Sequence, residues 1–129
     1  MLNLMIDLES FGLEDDAVIT QIGCVAFDDN YSEISMFNQP VSIVDGLLNG
    51  FSITPSTLEF WGRELKKNSW SQDVVKDLFY SEVSCKDAAD GLHRWLNKTF
   101  GDEQFGIWAN GILFDINKAD YFLKRFGFK

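Results

Sequence analysis

The chain is poor in cysteine. Cys24 and Cys85 stand far apart and form no C-x-x-C pair, which excludes a disulfide-stapled scaffold and makes a reducing cytoplasm the expected compartment. Cys24 sits in an apolar run and reads as a small core residue. The chain is also short of positive charge, with 11 Lys and Arg against 20 Asp and Glu for a net charge of −9. A simple nucleic-acid clamp, which needs basic residues to displace counterions, is therefore excluded. An enzyme whose carboxylates hold metal ions is not, because bound cations invert the local charge. Two divalent ions would still leave the molecule acidic. The same charge suits a basic protein partner. Long apolar runs are missing too. Nothing approaches the roughly 18 residues of a membrane span, and no basic segment leads into an apolar one, so neither membrane insertion nor export is expected. Internal repeats, low-complexity tracts and linkers are absent as well.

What is present suits one domain over residues 1–129. The chain is 46% hydrophobic and 15% aromatic, enough to bury a core. Leu2–Leu8 reads as a buried central strand. Phe11–Asp16 is an acidic loop containing a glycine. Val18–Phe27 is a second strand, and the turn signal Asp28-Asp29-Asn30 returns a third over about Ile34–Val41 as a hairpin. The pattern then becomes helical. Pro55-Ser56 with Glu59 marks a helix to about Lys67, Ser71 caps a short one ending near Phe79, and Ser84 with Asp87 opens a third that stops at Gly101. On that third helix Ala88, Leu92, Trp95 and Leu96 make one apolar face. Phe105–Ala109 is a short strand. Phe114–Arg125 is a last helix with Ile116, Ala119, Leu123 and Phe126 inward and Gly127 as its stop. This order implies an α/β fold with a mixed sheet: an antiparallel three-strand meander plus a helix-linked strand.

Asp7-Leu8-Glu9 is the sharpest local feature. Residues two apart on a strand share a face, so both carboxylates project together from the end of a buried strand. They repel there unless something cationic neutralises them. Mg²⁺ or Mn²⁺ suits such oxygen ligands. The plainer reading is a strand that ends at the surface.

The run Ile6-Asp7-Leu8-Glu9-Ser10-Phe11-Gly12-Leu13, followed by Ile19-Thr20-Gln21-Ile22-Gly23-Cys24-Val25, resembles the first motif of the DEDD (DnaQ-like, ribonuclease-H-like) 3′→5′ exonucleases. Ile107-Trp108-Ala109-Asn110-Gly111-Ile112-Leu113-Phe114-Asp115 resembles their second motif. Gly50–Trp61 is similar to a segment of phage and bacterial exonucleases of the ribonuclease-T-like branch. The resemblance implies a ribonuclease-H-like mixed sheet with Asp7, Glu9 and Asp115 as catalytic metal ligands. Mg²⁺ or Mn²⁺ would be the cofactor, two ions in the complete family site. The partner would be a single-stranded nucleic acid 3′ end. Ser10, Phe11, Gly12 and Leu13 would border the terminal nucleotide, with Phe11 or Leu13 as a wedge, or those side chains merely cover the core edge. Asn110 would position a phosphate, although Asn-Gly is first a turn signal. Trp61 and Trp108 would stack on bases or fill the core.

Other positions carry less. His93 reads as a helix surface residue. Lys66, Lys67, Lys98, Lys118, Lys124 and Arg125 are scattered basic positions, the last three either touching a nucleic-acid backbone or lying on a solvated helix face. The family also uses a fourth Asp and a His or Tyr base on a later helix, and neither is recognised before Lys129. The resemblance thus implies a domain lacking the family's C-terminal strand and helix, with weak activity alone. It also implies an exposed sheet edge that a second copy or a complementary C-terminal chain would cover. The rival reading is a non-catalytic remnant of the fold acting as an acidic protein-binding module or inhibitor.

Overall fold

The computed structural model describes residues 1–67, 80–109 and 112–128. Its core is a four-stranded mixed sheet. Strands β1 (Asn3–Ser10), β2 (Ile19–Phe27) and β3 (Glu33–Pro40) form the expected antiparallel meander, and β4 (Gly106–Trp108) joins β1 in parallel. The spatial order is β3-β2-β1-β4. This is the α/β mixed sheet that the alternation of strand and helix patterns implied, so β1 becomes a central strand flanked on both sides.

Four described helices accompany the sheet: α1 (Ile43–Leu48), α2 (Pro55–Lys67), α3 (Cys85–Phe100) and α4 (Ile112–Arg125). Three match sequence expectations within two residues. The helix expected from Ser71 to Phe79 lies outside the described residues. Helix α1 was not foreseen, because six residues give no readable apolar period. Its signal is a cap instead: the Ser42 hydroxyl accepts from the Asp45 amide at 3.0 Å. Ser84 caps α3 in the same way, through the Asp87 amide at 3.1 Å, as its sequence suggested.

Alternation along β1 and β2 sets the core. Leu4, Ile6 and Leu8, with Ile22, Cys24 and Ala26, are buried on one face. Ala88, Ala89 and Leu92 of α3 and Phe122 and Leu123 of α4 belong to the same cluster. Trp95 fastens α3 to β3 by donating its indole N–H to Ser35 Oγ at 2.9 Å. The opposite face is less covered. There Met5, Val25, Phe27, Tyr31 and Trp108 line a shallow apolar groove of about 450 Å³. Trp108 is 50% exposed, so its reading as a core aromatic is corrected. The strand carrying it is an edge of the sheet formed by the described residues, which leaves half of its surface in solvent.

A second correction concerns Lys118. It has no exposed surface at all, so it belongs neither to a solvated helix face nor to a backbone-contacting basic patch.

Candidate active site

Asp7 and Glu9 project from the less buried face of β1, near its C-terminal end, where alternation puts them two residues apart. Asp7 is exposed and Glu9 partly buried. Across the sheet Asp7 is in register with Gly23. Glycine there leaves no side chain beside the Asp7 carboxylate on the β2 side, and the two residues share a groove of about 250 Å³.

Asp115 arrives from the far end of the chain. It stands in the first turn of α4 and is 4% exposed. The backbone N–H groups of that turn favour a carboxylate. Glu9 feels both neighbours. Burial first, then the Asp7 and Asp115 carboxylates, hold its pKa above the ordinary glutamate value. Asp7 and Asp115, from two distant motifs, therefore both act on Glu9 at one end of the sheet. Among the described residues, no group of three or more His, Cys, Asp or Glu side chains is arranged at metal-holding spacing. As a donor set, three hard carboxylates suit a Mg²⁺ or Mn²⁺ ion.

The loop after β1 is firmly built. The Phe11 amide donates to Val18 O at 2.9 Å and the Thr54 amide to Phe11 O at 2.8 Å. The Leu13 amide donates to Thr54 Oγ1 at 3.1 Å, and Ser10 Oγ to Gly12 O at 3.1 Å. A Cβ at Gly12 would come within 2.8 Å of Ala17 Cβ and 2.9 Å of Thr54 Oγ1. Only glycine lets this loop lie so close to the segment before α2. Phe11 is 5% exposed and packs in the core, so it cannot wedge against a base. Leu13, 64% exposed, can. Trp61 packs partly buried against the core, edge-on to Phe60 at 5.6 Å. Asn110 lies outside the described residues.

Sequence reasoning missed two contributors. Thr54, just before Pro55, ties the loop down through its hydroxyl and amide. Lys118 was hidden as one basic residue among several. Its signal was position: it shares the inward stripe of α4 with Phe122, four residues on. Its ammonium donates to Glu14 O at 2.7 Å and lies 3.8 Å from the centre of the Phe114 ring. Burial holds its pKa below the usual lysine value, against the pull of Asp15, Asp115, Glu14 and Asp16. His93 stacks on Phe128 at 4.5 Å, a packing role.

Comparison with known families matches the chain to the 3′-5′ exoribonuclease Rv2179c-like domain, over residues 2–128. A comparison with curated protein sequences finds no match. Among solved structures the chain is similar to E. coli exonuclease I bound to a dT13 oligonucleotide. There the TM-score is 0.69 and the identity 14%, covering 99% of this chain and 24% of that one. The same enzyme with a dA16 oligonucleotide gives 0.67 and 14%, over 99% and 24%. The ExoI/SSB-Ct complex gives 0.66 and 14%, over 99% and 25%. The chain thus spans about a quarter of the length of exonuclease I. At this identity the structural likeness speaks for the fold. Together with the family match it bears out the resemblance to the N-terminal portion of DEDD-type 3′→5′ exonucleases.

Proposed function

The chain belongs to the family of Rv2179c-like 3′-5′ exoribonuclease domains, and from that premise we propose that it is the core of a metal-dependent 3′→5′ exonuclease. Its substrate is the 3′ end of a single-stranded nucleic acid. The family description favours RNA. The oligonucleotides bound to exonuclease I are DNA.

One observation carries this reading. Glu9 is held above the ordinary glutamate value first by its burial and then by the charges of Asp7, its neighbour on β1, and of Asp115, which is more than a hundred residues away in sequence. Asp7, Glu9 and Asp115 would hold the divalent cation. When bound, Mg²⁺ or Mn²⁺ supplies positive charge that polarises the phosphoryl group and lowers the pKa of the attacking water. The chain does the rest by position. Gly23 leaves the approach to Asp7 open. Gly12 and Thr54 hold the loop so that Leu13 faces outward, where an apolar side chain can abut the last base. Ser10 holds the loop's carbonyl at Gly12 and so supports rather than touches the substrate. The hydrolysis releases a nucleoside monophosphate.

The β4 edge of the sheet belongs to the same proposal. An added strand from a second copy or a complementary C-terminal chain would pair with β4, whose Ile107 is 44% exposed. A second reading, an acidic protein-binding module or inhibitor on the exonuclease fold, is favoured by the net charge of −9 and the apolar groove on the open sheet face.

The test uses 5′-labelled RNA and DNA single strands with Mg²⁺ or Mn²⁺. The expected result is a ladder shortening from the 3′ end that disappears in Asp7→Ala. Calorimetry showing no divalent cation bound by the wild-type chain would remove the metal site and leave the binding-module reading.

A further inference from the structure

Lys118 stands out from the other basic residues. It is among the largest fully buried side chains of the described residues, on a helix face that also buries Asp115, Phe122 and Leu123. A buried ammonium is costly unless it is paired and hydrogen-bonded. Here its surroundings are specific. One hydrogen bond runs to the backbone of the acidic loop, at Glu14 O. One ring face, that of Phe114, lies against it. Asp115 sits one helical turn before it on α4, at i−3. Asp15, Glu14 and Asp16 add their charge from the loop side.

The loop it grips is the one that borders the carboxylates. Glu14 O also accepts from the Ala17 amide at 3.1 Å, and the Ser52 amide donates to Asp16 O at 2.8 Å. Ser52 Oγ donates to the Asp16 carboxylate at 2.7 Å. The loop is thus bound on one side to the segment around Ser52 and on the other to α4, with Lys118 as the α4 attachment.

We propose that Lys118 is a positioning residue of the carboxylate site, a built-in cation that joins the Glu14–Asp16 loop to Asp115 and offsets part of the repulsion there when no metal is bound. This rests on the carboxylate reading of the proposed function. A fixed ammonium beside the ligands favours the metal-free state, because it supplies charge that a divalent cation would otherwise bring. It also sets the cation affinity lower than three carboxylates alone would give.

Two measurements test it, and they fail separately. In EDTA, thermal melts of wild type, K118M, D115N and D115N/K118M form a double-mutant cycle. Met keeps most of the lysine volume and removes the charge. K118M should lower Tm by about 5 °C or more, and D115N placed on K118M should return more than half of that loss. Simple addition of the two single effects would overturn the proposal. If K118M alone does not fold, a folded D115N/K118M is the expected rescue, and an unfolded one overturns the proposal. The second measurement titrates Mn²⁺ and follows Tm. Half-saturation should fall by about tenfold in K118M, since a nearby positive charge has gone. An unchanged or higher value would overturn the proposal. If Mn²⁺ fails to stabilise the wild type, the metal reading fails by itself and the cycle in EDTA alone decides the role of Lys118.

Discussion

Strand β1 carries two kinds of chemistry on its two faces. Leu4, Ile6 and Leu8 are 4–5% exposed and pack against helices. One residue out of phase, Met5, Asp7 and Glu9 look the other way, toward a face that the described helices leave open. The first face is dry, apolar and tolerant only of similar volumes. The second is partly wet, carries like charges and gains nothing from them in stability. The strand thus separates what holds the fold from what the fold presents, and it does so with the period of two inherent in a pleated backbone.

That contrast can be broken by substitution, residue by residue. The largest effect is expected on the buried face: Ile6→Ala should cost about 2–5 kcal/mol in urea denaturation, through lost transfer energy and an unfilled cavity. Asp7→Ala, next along the strand, should leave the urea midpoint near or above wild type. It should also reduce hydrolysis from the 3′ end by about 10²-fold or more. A matching loss of stability in Asp7→Ala would mean that the two faces are not distinct.

Glu9 sharpens the contrast through pH. Its folded-state pKa is raised, so between the ordinary glutamate value and the raised one the native state holds more protons than the unfolded chain. Without metal, its contribution to stability is greatest below the ordinary value and is lost as pH rises through the raised value. Glu9→Gln should flatten that part of a stability-versus-pH curve measured in EDTA. A slope unchanged by the substitution would place the charge strain elsewhere. The smallest effect is expected on the open face away from the carboxylates. Trp108→Ser should change stability by only about 0.5 kcal/mol, since half of its surface is already in water. A much larger loss would show that the aromatic groove, not just the opposite face, supports the sheet.

Much of this was legible in the residue order. The strand spans, the start of α2, the capped start of α3 and the D-x-E pair follow from local periodicity and local hydrogen bonds, which need no distant partner. The family motifs marked Asp115 as well. Phe11, left between a wedge and a cover for the core edge, and Lys118, left among scattered basic positions, went unplaced for the opposite reason. A Phe in a loop and a Lys in a helix have no local signature of burial. Their surroundings come from Val18, Thr54 and Glu14, brought in by tertiary folding.

The sequence by itself determined the α/β character and the meander, because backbone periods are properties of neighbouring residues, and its resemblance to the exonuclease motifs singled out Asp7, Glu9 and Asp115 as candidate carboxylates. Only the tertiary structure decided that Asp115 acts on Glu9, that Leu13 rather than Phe11 faces outward, and that a lysine stands buried beside the site. Those facts depend on the sheet order β3-β2-β1-β4 and on the packing of α4 across it, which set distances between residues that the chain keeps far apart.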